Sequence, residues 1–103
     1  MNIIEKLGRE LKISKNQVEG AVELLDQGAT VPFIARYRKE ATGSLEDTVL
    51  RDLQERLEYL RGLEVKKADI LRLLAEQGNL TPGLEKEIEK AETMTRLDDI
   101  YLP

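Results

Sequence analysis

The sequence of 103 residues has no cysteine and no histidine. Disulfides are therefore excluded, as are metal sites built on thiolate or imidazole and any nucleophilic triad that needs a histidine base. Tryptophan is also missing, and one phenylalanine with three tyrosines brings aromatics to only 4%. A core must then be filled by leucine, isoleucine, valine and alanine. No apolar run approaches the roughly 20 residues that would span a bilayer, and the opening MNIIEKLGRE lacks the apolar centre of a signal peptide. The expectation is a soluble, cytoplasmic chain with no membrane partner. The seven glycines are scattered, so no glycine-rich loop is available to cradle a phosphate. Apolar residues nowhere alternate with period two, which removes the signature of a strand.

What remains is charge and helical periodicity. Hydrophobic residues make up 41% and charged residues 35%, with 16 cations against 20 acids for a net charge of -4. Both signs are interspersed, which suits solvent-facing helices. Ile3, Ile4, Leu7 and Leu11 share one helical face over about residues 2–12. "SKNQ" supplies a capping box from Ser14 and Gln17. Val18, Ala21, Val22 and Leu25 continue at helical spacing until Gly28, a residue that tolerates the left-handed conformation past a helix end. Pro32 suits the first turn of a short third helix, because its missing amide hydrogen has no partner there anyway. Ser44 is expected to cap the next helix, with Glu46 and Asp47 favourably placed in its first turn.

From Leu45 to about Gln77 there is one glycine, Gly62, and no proline. Leu45, Val49, Leu53, Leu57 and Leu60 form one stripe, and Ile70, Leu71 and Leu74 a second. Lys66 and Lys67 fall where the first stripe would continue, so the buried face is expected to rotate near Gly62. The reading is one long helix over about 45–77, bent there, with a break at Gly62 as the competing possibility. Thr81 and Pro82 begin a fifth helix carrying Leu84, Ile88 and Ala91. A short sixth places Leu97, Ile100 and Tyr101 on one face. "LLDQGATVP" and "LLAEQGNLTP" echo each other, but the shared residues are helix stop and start signals, so the echo reads as repeated punctuation. The fold class expected is all-α: short N-terminal helices packed on one long helix, followed by a helical hairpin return, in a single module spanning 1–103.

Candidate chemistry is sparse. Asp98 and Asp99 are adjacent, so on a helix they point about 100° apart and do not converge on one ion. No catalytic residue, metal ligand or cofactor is expected. The one distinctive segment is "TVPFIARYRKEATGSLED", whose residues 30–43 carry Arg36, Arg38 and Lys39 against a single acid. Helical projection superposes Phe33 and Tyr37 near Ile34, which reads as a buried face. Lys39 then points to solvent, while Arg36 and Arg38 border the apolar stripe within reach of Glu46, Asp47, Asp52 and Glu55. Two uses stay open for Arg36, Arg38 and Lys39: ion pairs at a joint between helices, or nucleic-acid contact through bidentate grip on phosphate. A helix-turn-helix with residues 32–39 as reader is poorly supported, because half of that segment is apolar. The long amphipathic helix is a second interaction candidate, since a stripe of that length is covered either within the chain or by another domain or chain.

"VPFIARYRKEATGSLED", "LEYLRGLEVKKADIL", "EQGNLTP" and "RLDDIYLP", taken in order, closely resemble the N-terminus of the bacterial Tex proteins, the transcription accessory proteins. The resemblance covers essentially the whole chain. It implies a large cytoplasmic nucleic-acid-binding protein, similar in its core to a eukaryotic elongation factor that also acts as a histone chaperone. Its N-terminal part would be helical, followed by a resolvase-like fold, helix-hairpin-helix repeats and an S1 domain that is the main nucleic-acid binder. The present chain would be the N-terminal helical segment, with more polypeptide following "YLP". Its partners would be the remaining domains of the full-length protein, RNA or DNA through that protein, and the transcription machinery. The resemblance brings no catalytic residue onto these positions.

Overall fold

The computed structural model describes residues 2–101, which contain seven α-helices and no strand. The chain forms two compact units, Asn2–Tyr59 and the part from Leu60 onward. The first comprises α1 (Ile3–Leu11), α2 (Lys15–Asp26), α3 (Val31–Tyr37), α4 (Lys39–Thr42) and the beginning of α5 (Asp47–Glu76). The second comprises the rest of α5, α6 (Pro82–Lys90) and α7 (Met94–Ile100). The all-α expectation holds.

Local sequence accounts for most helix ends. Asn2, Ser14, Thr30, Thr81 and Thr93 each accept a hydrogen bond from the amide three residues on, filling one of the donors a first turn leaves without a partner. At Ser14 the capping box closes both ways: Gln17 N–H donates to Ser14 Oγ at 3.2 Å, and Ser14 N–H to Gln17 Oε1 at 3.0 Å. The echoed stop signals close alike. Gly28 and Gly78 have φ of 93° and 72°, and each helix ends with the same pair of bonds. Ala29 N–H reaches Leu24 O at 3.0 Å and Gly28 N–H reaches Leu25 O at 3.0 Å; Asn79 N–H reaches Leu74 O at 2.8 Å and Gly78 N–H reaches Ala75 O at 3.1 Å.

In the N-terminal unit, Leu7, Val18, Ala21, Ile34, Leu50 and Leu53 are completely buried. Fully burying a leucine or isoleucine side chain stabilises by about 1.5–3 kcal/mol. The tightest approach is between α2 and α4. A Cβ on Gly20 would lie 1.9 Å from the Ala41 carbonyl oxygen, so the two backbones meet where α2 has no side chain. On its outer side, Arg56 grips Glu10 through two bonds of 2.7 and 2.9 Å. Those hydrogen bonds hold the Glu10 carboxyl below the usual carboxylate range and raise the Arg56 guanidinium.

The long helix is unbroken at Gly62, as expected, but its buried face does not rotate there: Leu53, Leu57, Leu60, Leu63, Lys67, Ile70 and Leu74 are all buried at spacings of three and four. Lys67 continues the stripe, 5% exposed. Its Nζ donates to the Glu89 carbonyl at 2.8 Å, in the last turn of α6 where carbonyls lack helical partners, and Glu64 Oε1 lies 3.6 Å away. The long stem packs as an apolar side chain while the head satisfies α6. The helix also begins later than expected, at Asp47, and Ser44 does not cap it. The chain leaves α4 through Gly43 and Ser44, with φ of 65° and 64°, whereas a cap needs an extended backbone. The buried Thr42 hydroxyl accepts from Leu45 N–H at 3.3 Å instead.

In the C-terminal unit, Ile88, Ala91 and Leu97 are buried, with Ile100 and Tyr101 half-buried. Lys66 pairs with Asp98, and both Asp98 and Asp99 are exposed. The Leu102 and Pro103 of "YLP" lie outside the described residues.

Candidate interaction surface on the third helix

Helix α3 is short because both its ends are determined locally. Thr30 Oγ1 accepts from Phe33 N–H at 3.3 Å, and Pro32 occupies the first turn. At Arg38 the backbone turns out of the helical region (φ −126°, ψ 41°), and α4 starts anew at Lys39. Lys39 therefore does not follow the phase of α3, although it is exposed as expected.

Phe33 and Tyr37 share one side of α3, as their spacing of four requires, with ring centroids 5.4 Å apart and planes inclined at 47°. That side faces out. Phe33 is 46% and Tyr37 60% exposed, whereas Val31 and Ile34 fill the core. The expectation of a buried face of Phe33, Ile34 and Tyr37 thus holds for Ile34 and fails for the two aromatic residues. A seven-residue helix offers only one face to its unit, and two apolar pairs competed for it. The compact Val31–Ile34 pair occupies the inward side, leaving the two aromatic rings on the surface.

The cations sit differently from the ion-pair reading. Arg36 does not reach across to the long helix; its guanidinium lies 5.3 Å from the Tyr37 ring centroid, in cation–π range. Arg38 Nε donates to Glu40 Oε1 at 2.7 Å, a contact two residues away in sequence that holds the Glu40 carboxyl below its ordinary range. Of the acids proposed as partners, Asp47 is used elsewhere, accepting from Arg51 at 3.1 Å. Among the described residues neither Arg36 nor Lys39 has a carboxylate within ion-pair distance. The two line an open cleft of about 590 Å³ together with Pro32, Ala35, Leu45, Glu46 and Asp47. Arg36 thus lies on Tyr37, Arg38 lines a second cleft with Phe33 and is tied to Glu40, and Lys39 shares the first cleft with Arg36. No group of three or more acids that could hold a metal ion occurs among the described residues, and no helix there is long and apolar enough to cross a membrane.

Comparison with known proteins now decides the lineage. The family model described as the Tex-like protein N-terminal domain matches residues 1–75. The chain belongs to the Tex family. It is 57% identical over 103 residues to the transcriptional accessory protein Tex of Neisseria gonorrhoeae, covering all of this chain and 14% of that protein. Against protein tex of Bordetella pertussis the identity is 57% over 101 residues, 98% of this chain and 13% of that one. A more distant relative is the human S1 RNA-binding domain-containing protein 1, 26% identical over 102 residues, 99% of this chain and 10% of that protein. The chain therefore spans about a seventh of the length of the bacterial Tex relatives it matches. It is a Tex N-terminal domain, all-helical.

Proposed function

We propose that this chain is a non-catalytic helical scaffold and interaction module, acting as a single module within a cytoplasmic Tex-like transcription accessory protein. The full-length form binds nucleic acid and modulates transcription. The module works by contact: it meets the remaining domains, a nucleic acid or the transcription machinery, and transforms no substrate. The observation that carries this reading is the outward Phe33–Tyr37 pair on α3. Adjacent large apolar side chains on a surface mark a candidate contact site, and these two sit side by side. The names of the Tex relatives, and of the relative named for an S1 RNA-binding domain, support the transcription and nucleic-acid setting.

The alternative role, a direct nucleic-acid-binding module using Arg36, Arg38 and Lys39, has its own support in the stacking of Arg36 on Tyr37. Arg38 contributes least, because Glu40 already occupies it. One titration tests the contact reading whichever partner is real. The isotopically labelled chain is followed by amide NMR while the remaining Tex domains, a transcribing polymerase and short oligonucleotides are added in turn. Shifts centred on residues 31–39 with at least one of them are expected. Their absence with all three refutes the reading.

A further inference from the structure

We infer that the outer face of α3, with Lys39 at the start of α4, is a platform for unpaired nucleic-acid bases: Phe33 and Tyr37 stack on bases while Arg36 and Lys39 hold the adjoining phosphates. The inference rests on reading α3 as a contact surface and specifies what it contacts. Three observations carry it.

The first is charge segregation. Residues 27–39 form the longest stretch of the chain without an acid, and its three cations fall within four positions of one another. In a chain of net charge -4, that stretch is a local excess of positive charge. The second is the state of those cations. Arg36 and Lys39 are exposed and have no carboxylate partner among the described residues, so no ion pair must be broken to receive a phosphate. The third is ring geometry. The pair at 5.4 Å presents two tilted aromatic surfaces with a guanidinium already over one of them, a combination that stacks bases without reading their sequence.

The same geometry selects among ligands. A duplex hides the faces of its bases in its own stack, so it could use the cations but not the rings. A protein partner is less well matched. Phe33 and Tyr37 are the only large exposed apolar residues described in this unit, too little to form the apolar centre of a stable protein interface.

The experiment measures fluorescence anisotropy of the 103-residue chain with labelled oligouridylate and oligothymidylate of about 12 nucleotides and with a duplex of the same length. Binding to the single strands at low salt is expected, with the duplex weaker. Because two phosphates are held by free cations, log K should fall with log salt at a slope of about −1.4. Phe33→Ala and Tyr37→Ala should each weaken single-strand binding about ten-fold, and Arg36→Gln with Lys39→Gln should flatten the salt slope. Far-ultraviolet circular dichroism checks that each variant is folded, and Tyr37→Leu, which keeps an apolar side chain and loses the ring, guards against a packing effect. Oligouridylate against oligothymidylate separates RNA from DNA. Failure to bind either strand, equal binding of strand and duplex, or binding indifferent to both ring substitutions overturns the inference. If α3 amides respond to the other Tex domains or to polymerase but never to oligonucleotides, the platform is refuted while the contact reading stands.

Discussion

Replacing a glycine with alanine inside a helix ordinarily stabilises it, by about 1 kcal/mol, because alanine loses less backbone entropy. At Gly20 the opposite sign follows from the packing of α2 on α4. The new methyl would lie 1.9 Å from the Ala41 carbonyl oxygen and 3.0 Å from its carbon. Restoring an ordinary contact requires the two helices to separate by about 1.5 Å. The obstacle is backbone, so no side chain can rotate aside. Overpacking of a dense core costs about 1–3 kcal/mol, and contact with a main-chain oxygen belongs at the upper end. The expected net loss is therefore about 2 kcal/mol. It would also pull at the neighbouring bond from Gln17 Nε2 to the Gly43 carbonyl, 3.4 Å long. Urea unfolding followed by circular dichroism should show a midpoint lower by about 1–2 M, given slopes of roughly 1–2 kcal/mol per molar for a chain of this size. Gly83 provides the contrast. It lies in α6 with nothing within 4 Å of a built Cβ, so Gly83→Ala should stabilise by several tenths of a kcal/mol. If Gly20→Ala stabilises as Gly83→Ala does, the close α2–α4 approach is refuted.

Lys67→Ala should cost about 2–3 kcal/mol, since it removes a charged donor from the Glu89 carbonyl along with the packed stem, and hydrogen exchange should speed up in α6 before α2. Thr42→Val should cost about 1 kcal/mol in urea unfolding by leaving the Leu45 amide without its acceptor. Glu10 supplies a pH dependence. Its folded carboxyl titrates below the unfolded one, so its stabilisation is full above the ordinary glutamate range and is lost as pH falls through the lowered folded value. The pair is about one-third exposed, which limits the effect to well under 1 kcal/mol. Wild type and Glu10→Gln should differ near neutrality and converge in acid; a gap that widens on acidification would contradict the sign.

Helix boundaries were largely legible because each depends on a few adjacent atoms. A threonine or serine three residues before a free amide, and a glycine past the last turn, act the same way wherever they occur. Ser44 escaped because its backbone lies in the left-handed region, set by the exit from α4. Three features depended on neighbours distant in sequence. Gly20 matters only because α4 crosses there. Lys67 seemed to interrupt the stripe, since charge alone argues for exposure; its spacing from Leu60, Leu63, Ile70 and Leu74 was the signal that it belonged to the face. On α3, periodicity found that Phe33 and Tyr37 share a side but could not say which side turned inward. Ile34 did turn inward, with Val31 rather than with the two rings. The charges of Arg36, Arg38 and Lys39 were visible from the outset, but the Arg38–Glu40 pair depended on the backbone break at Arg38.

The central claim is that the outward face of α3 exists to meet a partner. Benzophenone side chains placed singly at positions 33, 37 and 65 of a longer Tex protein test it directly, in a purified mixture with nucleic acid and polymerase. Val65, 63% exposed on α5, is an equally accessible apolar control. Positions 33 and 37 should crosslink to one defined molecule or domain several-fold more than position 65. Equal, diffuse labelling at all three positions would contradict the claim.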